Sequence, residues 1–262
     1  MTVTDLLGLL GGLGMFLFGM NLMSSGLEAA AGEKMKKLME KLTDTTLKGV
    51  IVGTFITALI QSSSATTVML VGFVNSGLMS LSQTVGIIMG ANIGTTVTSL
   101  LIAFNFSAVA PLAIFLGTAV KIFSKKERTA HICFLVIGFG LLFLGMNTMS
   151  MSFSHLRDNG TFLGFISACK GKIPCVLAGF IMTAILQSSS ATVGILQALA
   201  LSGLTDAESA LYIIFGQNIG AVIPTMLSAV GTKKEAKQVG IIHLLFNLIG
   251  TVFFFILFEA VP

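Results

Sequence analysis

Gln61-Ser62-Ser63-Ser64-Ala65-Thr66 is written again, letter for letter, as Gln187-Ser188-Ser189-Ser190-Ala191-Thr192, 126 positions further on. Each copy interrupts an apolar run with six polar or small residues. In lipid such a break is costly unless protein or a water-filled cavity surrounds it, because no solvent there satisfies exposed backbone groups. The doubled stretch therefore reads as a binding site inside a membrane protein.

Composition agrees. The chain of 262 residues is 54% hydrophobic and only 10% charged, with mean hydropathy +0.96, where a soluble domain carries about 25% charged residues. Several uncharged windows reach about 20 residues, long enough to span a bilayer. The net charge of +4 then concerns topology rather than nucleic acid, since no basic stripe carries interleaved aromatics. Asp5, with no basic residue before the first apolar run, is unlike a cleaved signal peptide. Three cysteines give no framework. Cys133 is expected to pack; Cys169 and Cys175 are expected as free thiols, with a disulfide as the alternative.

Outward from the first copy, residues 49–78 are thirty positions, apolar apart from the break at their middle, where two full spans need about 40. The length predicts a re-entrant hairpin turning at Gln61 to Ser64; a single long kinked helix is the alternative. Before it, residues 6–25 read as a spanning helix. Residues 27–42 read as an interfacial amphipathic helix, with Lys34, Lys36, Lys37 and Lys41 between Met35, Leu38, Met39 and Leu42. After it, residues 84–104 span again. Gly90-Ala91-Asn92-Ile93-Gly94-Thr95-Thr96 is expected to interrupt that helix, since glycines weaken it and threonines can cap a restart. Residues 108–123 span back, with Pro111 as a kink.

The second half follows the same plan at the same offset. Gly145-Met146-Asn147 matches Gly19-Met20-Asn21, and Gly216-Gln217-Asn218-Ile219-Gly220 matches Gly90 to Gly94. Repeat one is residues 1–126, with hairpin 49–78 and broken helix 84–104. Repeat two is residues 127–262, with hairpin 173–204 and broken helix 208–230; the two together form one domain. Each repeat counts a spanning helix, a hairpin returning to its own side and two more spanning helices. Three crossings is odd, so the second repeat is inverted. The expected fold is an all-α polytopic membrane protein of two inverted-topology repeats, each with a re-entrant helical hairpin and three spanning helices, an architecture whose half-sites meet near the midplane. With both termini outside, the inner loops hold twelve basic residues and the outer loops three, which fits the positive-inside rule. Counting each hairpin as a crossing changes the split only to eleven against four, so charge supports the orientation and not the hairpin.

A half-helix starting in mid-membrane points unpaired N–H groups and about half a positive charge at the site. Ser62 to Thr66 and Ser188 to Thr192 are capping residues for such a start, and two opposed starts make an anion cradle without arginine. The carboxyl ends of the incoming half-helices, with Gln and Asn side chains, offer oxygens to a hard cation such as Na⁺. The alternative for the serines is helix–helix adhesion. No Asp or Glu falls within a proposed spanning core. His243 is the one ionisable candidate, read as an interfacial packing histidine or as a gating group; His131 reads as interfacial. No Gly-x-Ser-x-Gly, no carboxylate orienting a histidine and no metal cluster argue for an enzyme.

These residues resemble a known family. The paired Gln-Ser-Ser-Ser-Ala-Thr stretches, the paired Asn-Ile-Gly breaks and His243-x-x-Phe246-Asn247 look like the bacterial branch of the type II sodium-dependent phosphate cotransporters, over residues 6 to 258. The resemblance implies alternating-access symport of inorganic phosphate with sodium through one transport domain in the cell (inner) membrane, with no cofactor and no metal beyond sodium. It implies phosphate contacts from Ser62, Ser63, Ser64, Thr66, Ser188, Ser189, Ser190, Thr192, Asn92 and Asn218. It implies sodium contacts from Gln61, Gln187, Thr67, Thr95 and Thr96. The expected partners are phosphate, sodium and the lipid bilayer, with room for a homodimer. Transport of arsenate or sulfate, or a phosphate-responsive sensor without turnover, remain alternatives. Electrogenic animal members carry an acidic residue near Val109 to Pro111 that is missing here, leaving sodium count and electrogenicity open. Ala221-Val222 stands where repeat one has Thr95-Thr96, so the half-sites are not equivalent. The chain is expected to be the transport core alone, without the soluble helical domain of many bacterial relatives.

Overall fold

The computed structural model describes residues 3–31, 45–104, 106–156 and 171–260, and every regular element in them is a helix. In chain order these are α1 (Val3–Ala31), α2 (Thr46–Ile60), α3 (Ser63–Asn75), α4 (Leu81–Ala103), α5 (Ala110–Phe123) and α6 (Glu127–Leu156). Then come α7 (Lys172–Leu186), α8 (Ser189–Leu201), α9 (Ala207–Gly220), α10 (Ile223–Ser228) and α11 (Lys234–Ala260). The internal repeat is legible in the helix bounds: α2 and α7, and α3 and α8, begin and end 126 residues apart, and α9 begins 126 residues after α4.

Among the described residues, five segments are long and apolar enough to cross a bilayer: Val3–Leu27, Leu81–Ala103, Glu127–His155, Ala207–Ser228 and Lys234–Ala260. They fit a multi-pass membrane protein. The helix at residues 110–123 departs from expectation. It has 14 residues, about 21 Å at 1.5 Å per residue, short of a hydrocarbon core of about 30 Å. Pro111 lies in its first turn rather than at a kink, where its missing N–H costs nothing. The predicted interfacial helix at 27–42 falls mostly outside the described residues, as do Arg157, Lys170 and Cys169, so the Cys169–Cys175 question lies outside them too. Cys133 is buried as expected.

The interruption predicted at Gly90 to Thr96 does not occur: α4 runs unbroken for 23 residues. Its glycines serve close packing instead. A Cβ at Gly90 would overlap the carbonyl oxygen of Val50 and lie 2.7 Å from Thr54 N, and one at Gly94 would lie 2.6 Å from Thr54 O, so α4 rides directly on the backbone of α2. Repeat two keeps this contact, Gly216 against Val176 O and Gly220 against Phe180 O, but breaks the helix between Gly220 and Ile223. The cause is Pro224 in the first turn of α10, standing where repeat one has Thr98. Proline lacks the N–H an uninterrupted helix needs there and clashes with the preceding turn. At the start of α9, Asp206 accepts from Ser209 N at 2.7 Å, and that backbone N–H holds its carboxyl below the usual range.

The helices group into two compact units, and each unit draws on both repeats. The first gathers α1, the end of α4 from Ser99, α5, α6 and Val193–Ala210. Small residues carry it: a Cβ on Gly12 would sit 2.9 Å from Gly145 O, and one on Gly145 would sit 2.5 Å from Gly12 O. That is the small-residue packing by which helices associate in lipid without a hydrophobic driving force between them.

The second unit holds α2, α3, α4 up to Thr98, α7, the first turn of α8, α9 from Leu211, α10 and α11. Its α11 is 27 residues long, about 40 Å. At the start of α11, Lys233 N donates to Asn75 Oδ1 at the end of α3, at 3.0 Å. At its other end Glu259 pairs with Lys172, the first residue of α7, and accepts from the Tyr212 hydroxyl. The open end of the α2–α3 pair thus lies at one end of α11, and the open end of the α7–α8 pair at the other.

Candidate functional site

All fifteen residues assigned to a site from the sequence belong to this second unit. Its two tips are built alike. Helix α2 ends on Gln61, in the left-handed region at φ 59, and α7 ends on Gln187 at φ 52. A non-glycine residue there costs about 1–2 kcal/mol, and a helix end would ordinarily use glycine. Retaining Gln at both ends marks the amide side chains as useful. Ser62, one residue later, is extended, and the chain restarts as a helix at Ser63 in one tip and at Ser189 in the other. Ser62 Oγ accepts from Ala65 N at 3.1 Å, and Ser188 Oγ from Ala191 N at 3.2 Å.

Each pair of short helices is tied by one buried hydroxyl contact. Thr57 Oγ1 donates to Thr66 Oγ1 at 3.0 Å, and Thr183 Oγ1 to Thr192 Oγ1 at 3.1 Å. Thr66 in turn donates to Ser62 O at 3.1 Å, and Thr192 to Ser189 O at 2.9 Å. Thr66 and Thr192, expected among the phosphate contacts, therefore spend their hydroxyls inside the helix pairs. Ser63, Ser64 and Ser189 are half-buried in the first turns of α3 and α8, and Ser190 is buried.

The glutamines differ between the halves. Gln61 is buried, its Oε1 accepting from Thr98 Oγ1 at 2.6 Å and its Nε2 donating to Ala58 O. Gln187 is exposed; at the position equivalent to Thr98 stands Pro224, which can donate nothing.

From Thr67 a chain of polar groups runs through four helices. Thr67 Oγ1 lies 2.7 Å from Thr225 Oγ1 on α10. Thr225 Oγ1 lies 3.0 Å from His243 Nδ1 on α11, and His243 Nε2 lies 3.4 Å from Asn247 Nδ2. Asn247 Nδ2 donates to Asn218 O on α9 at 2.8 Å, and Asn218 Nδ2 reaches Asn247 O and Thr251 Oγ1 at 3.4 and 3.3 Å. Thr67, Thr225, His243 and Asn247 are each at most 2% exposed. His243 is thus buried and hydrogen-bonded, the tenth residue of α11. Asn92, Thr95 and Thr96 do not join this chain through the bonds they donate, which go to carbonyls of their own helix.

Buried polar atoms left over are informative, because an unpaired one costs about 1–3 kcal/mol. Among the described residues three such atoms occur, and all lie in this unit: Oε1 and Nε2 of Gln217, and Oδ1 of Asn247. Gln217 is 2% exposed, and the equivalent position in repeat one is Ala91, equally buried and apolar. A buried amide offering an oxygen and an NH₂ group to no protein partner suits a small polar guest. Sequence reasoning passed over Gln217, Thr225 and Thr98. Overlaying the repeats residue by residue points to two of them, since Gln217 stands against Ala91 and Thr98 against Pro224, whereas Thr225 stands against Ser99, another hydroxyl, and carries no such signal.

The profile of the Na+/Pi-cotransporter family matches residues 15–151 and 161–260. The chain belongs to that family. Over 238 residues, 90% of this chain and 76% of the relative, it is 29% identical to YqeW of Bacillus subtilis (strain 168), an uncharacterized protein. It is 27% identical over 247 residues to YjbB of Escherichia coli (strain K12), whose name proposes inorganic phosphate export. That match covers 94% of this chain but 46% of YjbB, so the chain spans about half of that relative's length. Over a shorter stretch of 97 residues, 36% of this chain and 15% of the relative, it is 36% identical to sodium-dependent phosphate transport protein 2A of Rattus norvegicus. No solved structure matches the chain. The Na+/Pi-cotransporter family is one of transporters rather than enzymes, and phosphate is the substrate its name gives.

Proposed function

We propose that this member of the Na+/Pi-cotransporter family carries inorganic phosphate across the cell membrane in symport with Na⁺. In this reading the two serine-capped helix starts hold the anion from two sides. The observation that carries the reading is the duplicated tip: a left-handed Gln, a Ser whose Oγ caps the next helix, and two further serines in its first turn. Backbone N–H groups at a helix start suit a phosphate. Ser62, Ser63 and Ser64 with Ser188, Ser189 and Ser190 supply further donors, and Asn92 and Asn218 flank them. Thr66 and Thr192 hold each tip in shape. The sodium ligands fall among Gln61, Gln187, Thr67, Thr95 and Thr96, the neutral oxygens a hard cation prefers.

Re-entrant, oppositely directed hairpins are part of the proposal. In its support, α2 and α3 have 15 and 13 residues, about 22 and 20 Å, too short to span. The open ends of the two helix pairs also lie at opposite ends of α11, as inverted repeats require. Both termini outside remain part of the reading on the balance of basic residues, and an inner-membrane location on the family resemblance.

The test is initial uptake of labelled phosphate into proteoliposomes with an inward sodium gradient. Uptake should fall to the level of empty vesicles when an ionophore collapses that gradient; uptake indifferent to sodium would overturn the coupling. Competition by arsenate or sulfate sets the cargo. The name of YjbB favours outward flux as a second reading. It predicts phosphate efflux from loaded vesicles under the gradient that fails to drive uptake.

A further inference from the structure

The polarity of the buried chain from α11 to α3 can be assigned from both ends. At one end Asn247 faces the carbonyl oxygen of Asn218 at 2.8 Å. A carbonyl only accepts, so the facing atom is the amide nitrogen. The second hydrogen of that NH₂ group points along the 3.4 Å contact to His243 Nε2, which must then be the accepting nitrogen. At the other end the Thr67 hydroxyl donates to Ser63 O at 3.0 Å and shares with Ser64 O at 3.2 Å. Its single proton is used, so across the 2.7 Å contact it accepts and Thr225 donates. Thr225 then has no proton left for His243, and across 3.0 Å Nδ1 is the donor. Both ends give one answer: a neutral imidazole with its proton on Nδ1.

We propose that His243, in this tautomer, is a positioning residue that locks the tip of the first helix pair to the broken helix of the second repeat. Bonds pass one way, from the Asn247 amide to His243, to Thr225, to Thr67, and end on the carbonyls of Ser63 and Ser64. An Nε2–H tautomer or an imidazolium would set two donors face to face at Asn247. The break at Pro224 is what lets α10 present Thr225 to α3; an unbroken α4 presents Ser99 at the equivalent position. The proposed phosphate contacts of repeat one are thereby held in register with Asn218, the proposed phosphate contact of repeat two at the other end of the chain. This rests on the transport reading above, but the lock can be read separately from transport.

The spectroscopic arm uses the full chain with His131→Asn and His155→Asn, ¹⁵N-labelled at histidine, in lipid at neutral pH. The expected spectrum has one protonated Nδ1 and one unprotonated Nε2, with mixed tautomers after Thr225→Val. A dominant Nε2–H form or an imidazolium overturns the lock. The transport arm compares Thr225→Val, His243→Ala and His243→Asn, the last keeping an amide donor near the place of Nδ1. Thr225→Val and His243→Ala should raise the phosphate KM about tenfold, as one lost buried hydrogen bond allows, with kcat within about twofold; His243→Asn should recover most of the loss. Equal KM for His243→Asn and His243→Ala, or a wild-type KM in Thr225→Val, overturns the positioning role. If the unsubstituted protein moves no phosphate, the transport reading fails, and the lock is decided by the spectrum.

Discussion

Thr98 donates its hydroxyl proton to Gln61 Oε1 at 2.6 Å, and 126 residues later the partner of Gln187 has become Pro224. One substitution between repeats both breaks the second long helix and releases the second glutamine. Removing the donor from repeat one should show what the bond is worth. Thr98→Val leaves the buried Gln61 oxygen unpaired, and should destabilise the protein by about 1–3 kcal/mol, measured as the thermal midpoint of the purified protein. Gln187→Ala, at an exposed side chain, should leave that midpoint in place. Equal shifts for both would mean that the Thr98 contact carries no stability.

The serines divide into caps and free donors, and the two classes should separate experimentally. Ser62 and Ser188 accept from the backbone of the following turn, so Ser62→Ala and Ser188→Ala should each cost about 1 kcal/mol of stability. Ser63→Ala and Ser189→Ala should leave stability unchanged but cut phosphate uptake at least about tenfold, the worth of one hydrogen bond to a charged ligand. If both of the latter transport normally, the serines serve helix adhesion.

Glycines at three positions give opposite expectations from the same substitution. Gly90→Ala would drive a Cβ into Val50 O, and Gly216→Ala into Val176 O, backbone atoms that cannot yield without separating the helices. Each should lower the yield of folded protein sharply. Gly72→Ala on α3 meets nothing within 4 Å and should stabilise by about 0.5–1 kcal/mol, the helix cost of glycine relative to alanine. Melting curves of the three variants decide it.

The halves were readable from the sequence wherever local chemistry decided the outcome. The duplicated serine stretch ends a helix and caps the next because Ser prefers an N-cap in any context, so the tips and the 126-residue period follow directly. Gly90 to Thr96 misled because the same residues serve two ends. Glycine weakens an isolated helix, yet permits the closest approach of two packed ones, and only the position of α2 decides between them. That His243 packs is legible from the apolar residues around it, but its partner Thr225 is not, since it lies 18 residues away on another helix. The partners of Thr67 and Gln61 lie 158 and 37 residues away, beyond the reach of any periodicity.

Gln217 offers the sharpest conflict between stability and function. Its amide is buried with neither atom paired, an arrangement that costs folding energy and persists only where something else benefits. Repeat one fills the place with Ala91, completely buried, so an apolar side chain is compatible with the packing. Gln217→Leu keeps most of the volume and removes both orphan atoms; it should raise stability by about 1–3 kcal/mol. If the amide serves a polar guest during transport, the same variant should lose sodium-driven phosphate uptake, seen as a higher sodium concentration for half-maximal rate. Thermal midpoint and sodium titration on one preparation then give opposite signs. A variant that is more stable and transports with unchanged sodium dependence would reduce Gln217 to a packing residue.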